Sequence, residues 1–310
     1  MSFAFIFPGQ GSQSVGMLAE LAQSHSIVTD TFTEASDSLG YDLWKLVQEG
    51  PAEDLNQTDR TQPAMLTAGV ACWRVWQQQA STMPTMMAGH SLGEYTALVC
   101  SDAMSLTNAA SLVADRGRFM QEAVAAGEGA MAAVLGMDDD DVRAVCADAA
   151  EGEVLSAVNF NSPGQVVIAG NTAAVERATV IAKERGAKRA IVLPVSVPSH
   201  CSLMLPAAEK LQQRLADIVI TAPNVAIINN VDVATPNDAE QIKQALVKQL
   251  SNPVRWVETI NRLSDDGVEA VVECGPGKVL AGLNKRINKA FPAYPLFDDA
   301  SLSAALEAVK

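Results

Sequence analysis

Positive charge is in short supply in this sequence. Its 22 lysines and arginines are outnumbered by 36 aspartates and glutamates, for a net charge of −14. A nucleic-acid binder or an anionic-membrane binder leans the other way, so neither partner is expected. No apolar run approaches the length that spans a bilayer. The first such run, residues 3–7, has no basic lead and is too short for a secretory signal core; it reads as a strand. Cysteine is sparse and unpatterned. Five are present, at Cys72, Cys100, Cys146, Cys201 and Cys274, and none forms a CxxC pair. An odd count builds no disulfide framework, so free thiols and a cytoplasmic location are expected. Low-complexity tracts and solenoid-length repeats are also missing. What the 310-residue chain does have is apolar content, 48% against 19% charged. That suffices for one large domain, or for a large domain with a smaller one.

The apolar pattern divides the chain. Strand 3–7 ends at Pro8-Gly9-Gln10-Gly11. Helical periodicity follows over 15–23, 27–39 and 43–49, and Pro63 is placed to open a helix running to 79. A strand at 86–88 runs into Gly89-His90-Ser91-Leu92-Gly93 and a helix to about 100, the βα unit of an α/β sheet. After a helix over 108–125 the pattern changes at Gly127 and Gly129. Strand 131–135, helix 139–149, strands 154–158 and 166–169 about a turn at 161–164, helix 172–185 and strand 190–193 make a β-α-β-β-α-β order. That order is the ferredoxin-like unit. It predicts a small domain at 127–195 inserted into a large α/β domain formed by 1–126 and 196–310. The large domain resumes with helix 202–217, strand 225–228, helices 238–250 and 256–265, strand 270–273 and helix 280–288.

Gly89-x-Ser91-x-Gly93 has the spacing of a nucleophile elbow. A serine on a sharp strand-to-helix turn needs neighbours without side chains two residues either way. The amide of Leu92, opening the next helix, is then positioned to stabilise an oxyanion. The bland alternative is a tight turn with an inert serine. A serine nucleophile needs a base that works near neutral pH, and three histidines are available. His90 adjoins the serine, so its side chain should point away. His25 lies in a polar stretch and reads as surface. His200, in a loop before a helix, is left by elimination. The stretch 192–198 before it holds no carboxylate, so a backbone carbonyl is a candidate to orient its ring. Arg116 shares a helical face with Leu112, Val113, Phe119 and Met120. A guanidinium on an apolar stripe must meet an anion. That anion is either an internal carboxylate or the carboxylate of a substrate gripped by the planar fork.

Taken together, Phe7-Pro8-Gly9-Gln10-Gly11-Ser12-Gln13, the elbow with Glu94-Tyr95, Arg116, Asn159-Phe160-Asn161-Ser162-Pro163-Gly164-Gln165, Pro198-Ser199-His200 and Glu273-x-Gly275-Pro276-Gly277-Lys278 resemble the bacterial malonyl-CoA:acyl carrier protein transacylases. The likeness spans nearly the whole chain in order. It implies a hydrolase-like parallel-sheet core with a ferredoxin-like insert. It also implies ping-pong transfer of malonyl from malonyl-CoA to acyl carrier protein through an ester on Ser91, in fatty-acid synthesis. In that scheme His200 is the base, the main-chain carbonyl of Gln249 orients it, the amides of Gln10 and Leu92 hold the oxyanion, Arg116 binds the malonyl carboxylate, and Asn161 lies at the cleft edge. The implied partners are malonyl-CoA and acyl carrier protein, with coenzyme A present only as substrate, no cofactor, no metal, and a monomeric enzyme.

Two weaker motifs are set aside. Gly9-x-Gly11 lacks the third glycine of a dinucleotide loop, since position 14 is serine, and Gly275-Pro276-Gly277-Lys278 lacks the spacing of a phosphate loop. An acidic carrier protein would need a basic patch on this acidic chain. Lys183, Arg185, Lys188 and Arg189 form one candidate, and Lys285, Arg286 and Lys289 another. Two rival functions keep the same residues in view. A serine thioesterase would release free malonate. A non-catalytic docking module of an acyl assembly line would leave Ser91 unlabelled.

Overall fold

The computed structural model describes residues 1–80, 82–195 and 197–310. Ser196, the expected start of the second large-domain segment, lies outside the described residues, as does Ser81.

The chain opens with β1 (Phe3–Phe7), followed by α1 (Ala19–Ser24), α2 (Ile27–Leu39), α3 (Leu43–Glu49), α4 (Ala52–Leu55) and α5 (Thr58–Gln79). Then come β2 (Met86–Gly89), α6 (Gly93–Cys100) and α7 (Leu106–Glu122). The middle third holds β3 (Gly129–Leu135), α8 (Asp139–Ala150), β4 (Leu155–Ser162), β5 (Gln165–Asn171), α9 (Thr172–Glu184) and β6 (Arg189–Val192). One turn of 3₁₀ helix, Ser202–Met204, leads into α10 (Leu205–Ala216) and β7 (Ala226–Ile228). The rest is α11 (Ala239–Gln249), α12 (Trp256–Asp265), β8 (Ala270–Cys274), α13 (Val279–Ile287), β9 (Ala293–Leu296) and α14 (Asp299–Ala308).

The protein is α/β, with one parallel sheet and a separate antiparallel sheet. The parallel sheet has the order β7-β2-β1-β8-β9, with β1 at its centre. That position explains the unbroken apolar run of β1, which is buried throughout. Phe3, Phe5 and Phe7 enter one core and Ala4 and Ile6 the other, on the opposite face. Phe5 packs edge-on against Trp73 and Trp76 of α5, with ring centroids 5.2 and 5.1 Å apart. The antiparallel sheet has the order β4-β5-β3-β6 and a core of its own between the sheet and α8 and α9. It is stitched to the parallel-sheet part through β4. The Phe160 amide donates to the Val254 carbonyl at 3.0 Å, and the Val254 amide returns a bond to Val158 at 2.8 Å.

Several elements differ from the sequence reading. Pro63 lies inside α5 and does not open it. The ladder starts at the Gln57 carbonyl, which accepts from the amides of Arg60 and Thr61. Tertiary packing of this long helix outweighs the single ladder bond that proline removes. α1 begins only at Ala19, after Leu18 in a left-handed conformation with φ of 62°. The β4–β5 turn is tighter than the 161–164 expected, because Asn161 and Ser162 extend β4 and Gly164, at φ 72°, makes the reversal. His25 is not a free surface residue. Its side chain is 15% exposed and its Nε2 lies 3.2 Å from Asp299 of α14. α4, β9 and α14 carry too weak a periodic signal to be read. β9 is an edge strand that accommodates Pro295.

Candidate functional site

Ser91 sits where β2 turns into α6, with φ of 51°, a strained conformation for a non-glycine residue. The flanking glycines are sterically required. A Cβ on Gly89 would fall 1.9 Å from the Gly93 carbonyl carbon, and one on Gly93 would fall 2.1 Å from the carbonyl oxygen of Phe7 at the end of β1. The elbow is also locked from outside. Asn230, fully buried, accepts from the Ser91 amide at 2.6 Å and donates to the Gly89 carbonyl at 2.6 Å.

His200 comes to the elbow from the loop before α10, also left-handed, at φ 67°. Its amide donates to the Leu250 carbonyl at 2.9 Å. Its Nε2 lies 2.8 Å from Ser91 Oγ, and its Nδ1 lies 2.7 Å from the Gln249 carbonyl. A carbonyl only accepts, so the ring proton belongs on Nδ1. Nε2 then faces the hydroxyl with its lone pair, the arrangement a base needs. Burial, and then the Arg116 charge, lower the His200 pKa from 6.5 to about 3, against the opposing Gln249 bond. The ring is therefore neutral at physiological pH.

Arg116 reaches the same place from α7. Leu112, Val113 and Met120 are buried around it and Phe119 is half-buried. Arg116 as a whole is 1% exposed. Nη1 donates to Gln62 Oε1 at 2.8 Å and Nη2 to Gln249 Oε1 at 3.0 Å, with Ser91 Oγ 3.5 Å from Nη2. Among the described residues no carboxylate lies within ion-pairing distance of it. The internal salt bridge that the sequence left open is absent there, and Nε has no hydrogen-bond partner among the described residues. Desolvation lowers the Arg116 pKa below its usual value. The group nonetheless remains a buried cation held by two neutral amides, a configuration that favours an incoming anion.

Ser91, His200 and Arg116 line one cavity of about 130 Å³ together with Gln10 and Leu92. Among the described residues the amides of Gln10 and Leu92 have no protein acceptor. Apolar side chains, among them Met120, Met131, Val167 and Val195, complete the wall. Asn161 stands just behind it, with Oδ1 2.8 Å from His90 Nε2. The neighbouring Asn159 lines the cavity instead, and its buried Oδ1 has no partner. Cys201 beside His200 is packed, with Sγ against the Pro198 carbonyl. Of the two basic patches, Arg185 is paired with Asp148 and Arg286 bonds Gln165, while Lys183, Lys188, Arg189, Lys285 and Lys289 are exposed.

Sequence reasoning missed four groups: Gln62, Glu94, Asn230 and the side chain of Gln249. Gln249 Nε2 donates to the Ser91 carbonyl at 3.1 Å and to Glu94 Oε2 at 2.9 Å. The only advance signal was Glu94, a carboxylate in the first turn of a helix whose residues are otherwise all uncharged.

A parallel sheet, a serine on a strained elbow and a histidine at hydrogen-bonding distance define the serine acyl-transfer class of enzymes. The acyl transferase domain model matches residues 4–292. The malonyl CoA-acyl carrier protein transacylase of Salmonella typhimurium is 60% identical over 304 residues, covering 98% of each chain, and that of Escherichia coli K12 is 58% identical over 98% of this chain and 99% of its own. The solved Coxiella burnetii transacylase superposes with a TM-score of 0.98 at 51% identity, over 99% of this chain and 97% of its own. A malonyl-transacylase solved in complex with a type II PKS acyl-carrier protein also gives 0.98, at 54% identity over 99% and 100%. The chain belongs to the malonyl CoA-acyl carrier protein transacylase family and is an acyl-transferring enzyme. Among the described residues no helix is long and apolar enough to cross a membrane.

Proposed function

We propose that the protein transfers malonyl from malonyl-CoA to the phosphopantetheine thiol of an acyl carrier protein, in the supply of fatty-acid synthesis. The observation that carries this reading is the placement of Ser91 Oγ, 2.8 Å from His200 Nε2 and 3.5 Å from the Arg116 guanidinium. A nucleophile, its base and a cation with no carboxylate in direct contact share one small cavity.

His200 Nε2 takes the hydroxyl proton as Ser91 Oγ attacks the thioester carbonyl carbon. The amides of Gln10 and Leu92 receive the oxyanion, helped by the N-terminus of α6. Collapse of the tetrahedral adduct breaks the carbon–sulfur bond, and the leaving thiolate takes the proton back from Nε2. A carrier-protein thiol then repeats the sequence in reverse, losing its proton to His200 and attacking the ester carbonyl. The Gln249 carbonyl keeps the Nδ1 proton in place throughout. Arg116 holds the distal carboxylate, which selects malonyl over acetyl. No cofactor takes part, and coenzyme A enters only as the substrate thioester.

The architecture we infer for this chemistry is a hydrolase-like large domain, 1–126 and 196–310, with a ferredoxin-like domain at 127–195. Two observations support it. The small sheet has its own core, and its β-α-β-β-α-β order with sheet order β4-β5-β3-β6 matches that unit. The enzyme acts as a cytoplasmic monomer.

Intact-protein mass spectrometry after mixing with malonyl-CoA tests the reading. One malonyl adduct is expected, mapped by peptide digestion to Ser91 and discharged by a pantetheine thiol. An unlabelled protein, or steady release of free malonate with no transfer to a thiol, refutes it.

A further inference from the structure

The nearest buried carboxylate to Arg116 lies one amide away. Gln249 bridges them, accepting from Arg116 Nη2 at Oε1 and donating from Nε2 to Glu94 Oε2 and to the Ser91 carbonyl. Both protons of that amide are used by oxygens, so its oxygen is fixed toward the guanidinium. Glu94 is 4% exposed, and the same Oε2 also accepts the Asn230 amide at 2.9 Å. When ionised, Glu94 thus faces the Arg116 cation through a polarisable neutral link. An acyl carboxylate arriving at Arg116 comes to a cation whose field is already partly cancelled.

We propose that Glu94 is a positioning and specificity residue: through the Gln249 side chain it orients the face presented to Arg116 and weakens the grip of Arg116 on the acyl carboxylate. This rests on the malonyl-transfer reading above. A fully uncompensated guanidinium would bind the malonyl ester tightly and retard its release to the second thiol. A counter-charge one amide distant moderates that hold without competing for the guanidinium directly. Burial raises the Glu94 carboxyl pKa to about 7, with the Asn230, Gln249 and Arg116 contacts opposing the shift and Asp232 adding to it. The charge is therefore costly to maintain, and nothing in the elbow geometry alone requires a carboxylate in place of an amide.

Glu94→Gln separates charge from geometry, because an amide oxygen can accept from Asn230 and Gln249 as Oε2 does. The assay measures KM and the acylation rate constant with malonyl-CoA and with acetyl-CoA, and thiol-dependent discharge of the acyl-Ser91 ester. The expected result is a malonyl-CoA KM lowered at least about threefold, discharge slowed by a similar factor, and an unchanged acetyl-CoA KM. The malonyl effect should vanish when Glu94→Gln is combined with Arg116→Ala. Malonyl and acetyl parameters moving by one common factor, or a malonyl effect that survives without Arg116, overturns the proposal and reduces Glu94 to a structural prop. Should Glu94→Gln fail to fold, the wild-type pH profile decides: the malonyl-to-acetyl KM ratio should rise as the Glu94 carboxyl ionises around its pKa of about 7, and a ratio that stays flat from about pH 6 to about pH 8 overturns the proposal. A wild-type protein that forms no ester with malonyl-CoA removes the underlying reading and this proposal together, whereas an ester-forming wild type with an indifferent Glu94→Gln removes the proposal alone.

Discussion

Replacing Arg116 by alanine should invert the logic of substrate choice more than it damages catalysis. On the proposed reading a malonyl carboxylate completes a guanidinium otherwise held by Gln62 and Gln249, with Ser91 Oγ 3.5 Å away, on a residue 1% exposed. Removing one member of a buried charge pair costs about 3–5 kcal/mol. That corresponds to about two to nearly four powers of ten in the malonyl-CoA acylation constant. Acetyl-CoA has no such contact to lose, and its wild-type complex leaves the cation unpaired. Its acylation constant should change by less than about tenfold. Quenched-flow acylation of Ser91 with each thioester, read by intact mass, gives the two constants separately. Arg116→Met, which fills more of the vacated volume, controls for collapse of the cavity onto the stranded amide oxygens. If either folded variant keeps the wild-type malonyl-to-acetyl ratio, Arg116 does not read the carboxylate and the substrate assignment is wrong.

Other expectations concern the base, the elbow and its lock. The proposed base is the neutral imidazole of His200, whose pKa folding lowers from 6.5 to about 3. The acylation half-reaction should therefore stay flat through mildly acidic pH, and an acid limb with an apparent pKa near the free-histidine value would contradict the buried dyad. The same depressed pKa ties stability to pH. The unfolded chain takes up a proton between pH 6.5 and about 3 that the native ring refuses, so this contribution is lost as pH falls through that window; the wild-type denaturant midpoint should fall more steeply over that range than that of His200→Gln. Gly93→Ala places a methyl 2.1 Å from the Phe7 carbonyl oxygen. It should destabilise the fold by more than about 3 kcal/mol, and a thermal midpoint within a few degrees of wild type would show that the elbow can relax. Asn230→Asp keeps an acceptor for the Ser91 amide but loses the donor to Gly89 and sets a second carboxylate near Glu94. Acylation should slow at least about tenfold for both thioesters alike; an effect confined to malonyl-CoA would assign Asn230 to substrate binding instead.

Much of this site could be read before any coordinates because its constraints are local or arise from scarcity. Gly89 and Gly93 announce a turn that excludes side chains, and the clashes at 1.9 and 2.1 Å show why. His200 stood out because only three histidines exist and two were poorly placed. Arg116 was visible as a charge out of phase with its helix. The unread residues are those whose meaning lies in a distant partner. Gln62 and Gln249 are ordinary polar residues until they meet Arg116 across 54 and 133 positions. Asn230 is an ordinary turn residue until it meets the elbow across 139. The same holds for Pro63, read as a helix start because local preference favours that position, while the packing of α5 decided otherwise.

By itself the amino-acid order determined the α/β class of fold, the serine elbow at Ser91, and the presence of a buried cation. These follow from periodicity, steric bulk and desolvation, which act over a few residues. Only the tertiary structure decided that the cation meets no carboxylate, that a backbone carbonyl and no acid sets the histidine tautomer, and that Glu94 stands one amide behind Arg116. Those facts depend on how elements far apart in sequence converge, and hydrogen-bond partners at such range are fixed by distance and direction in space, which composition and spacing do not encode.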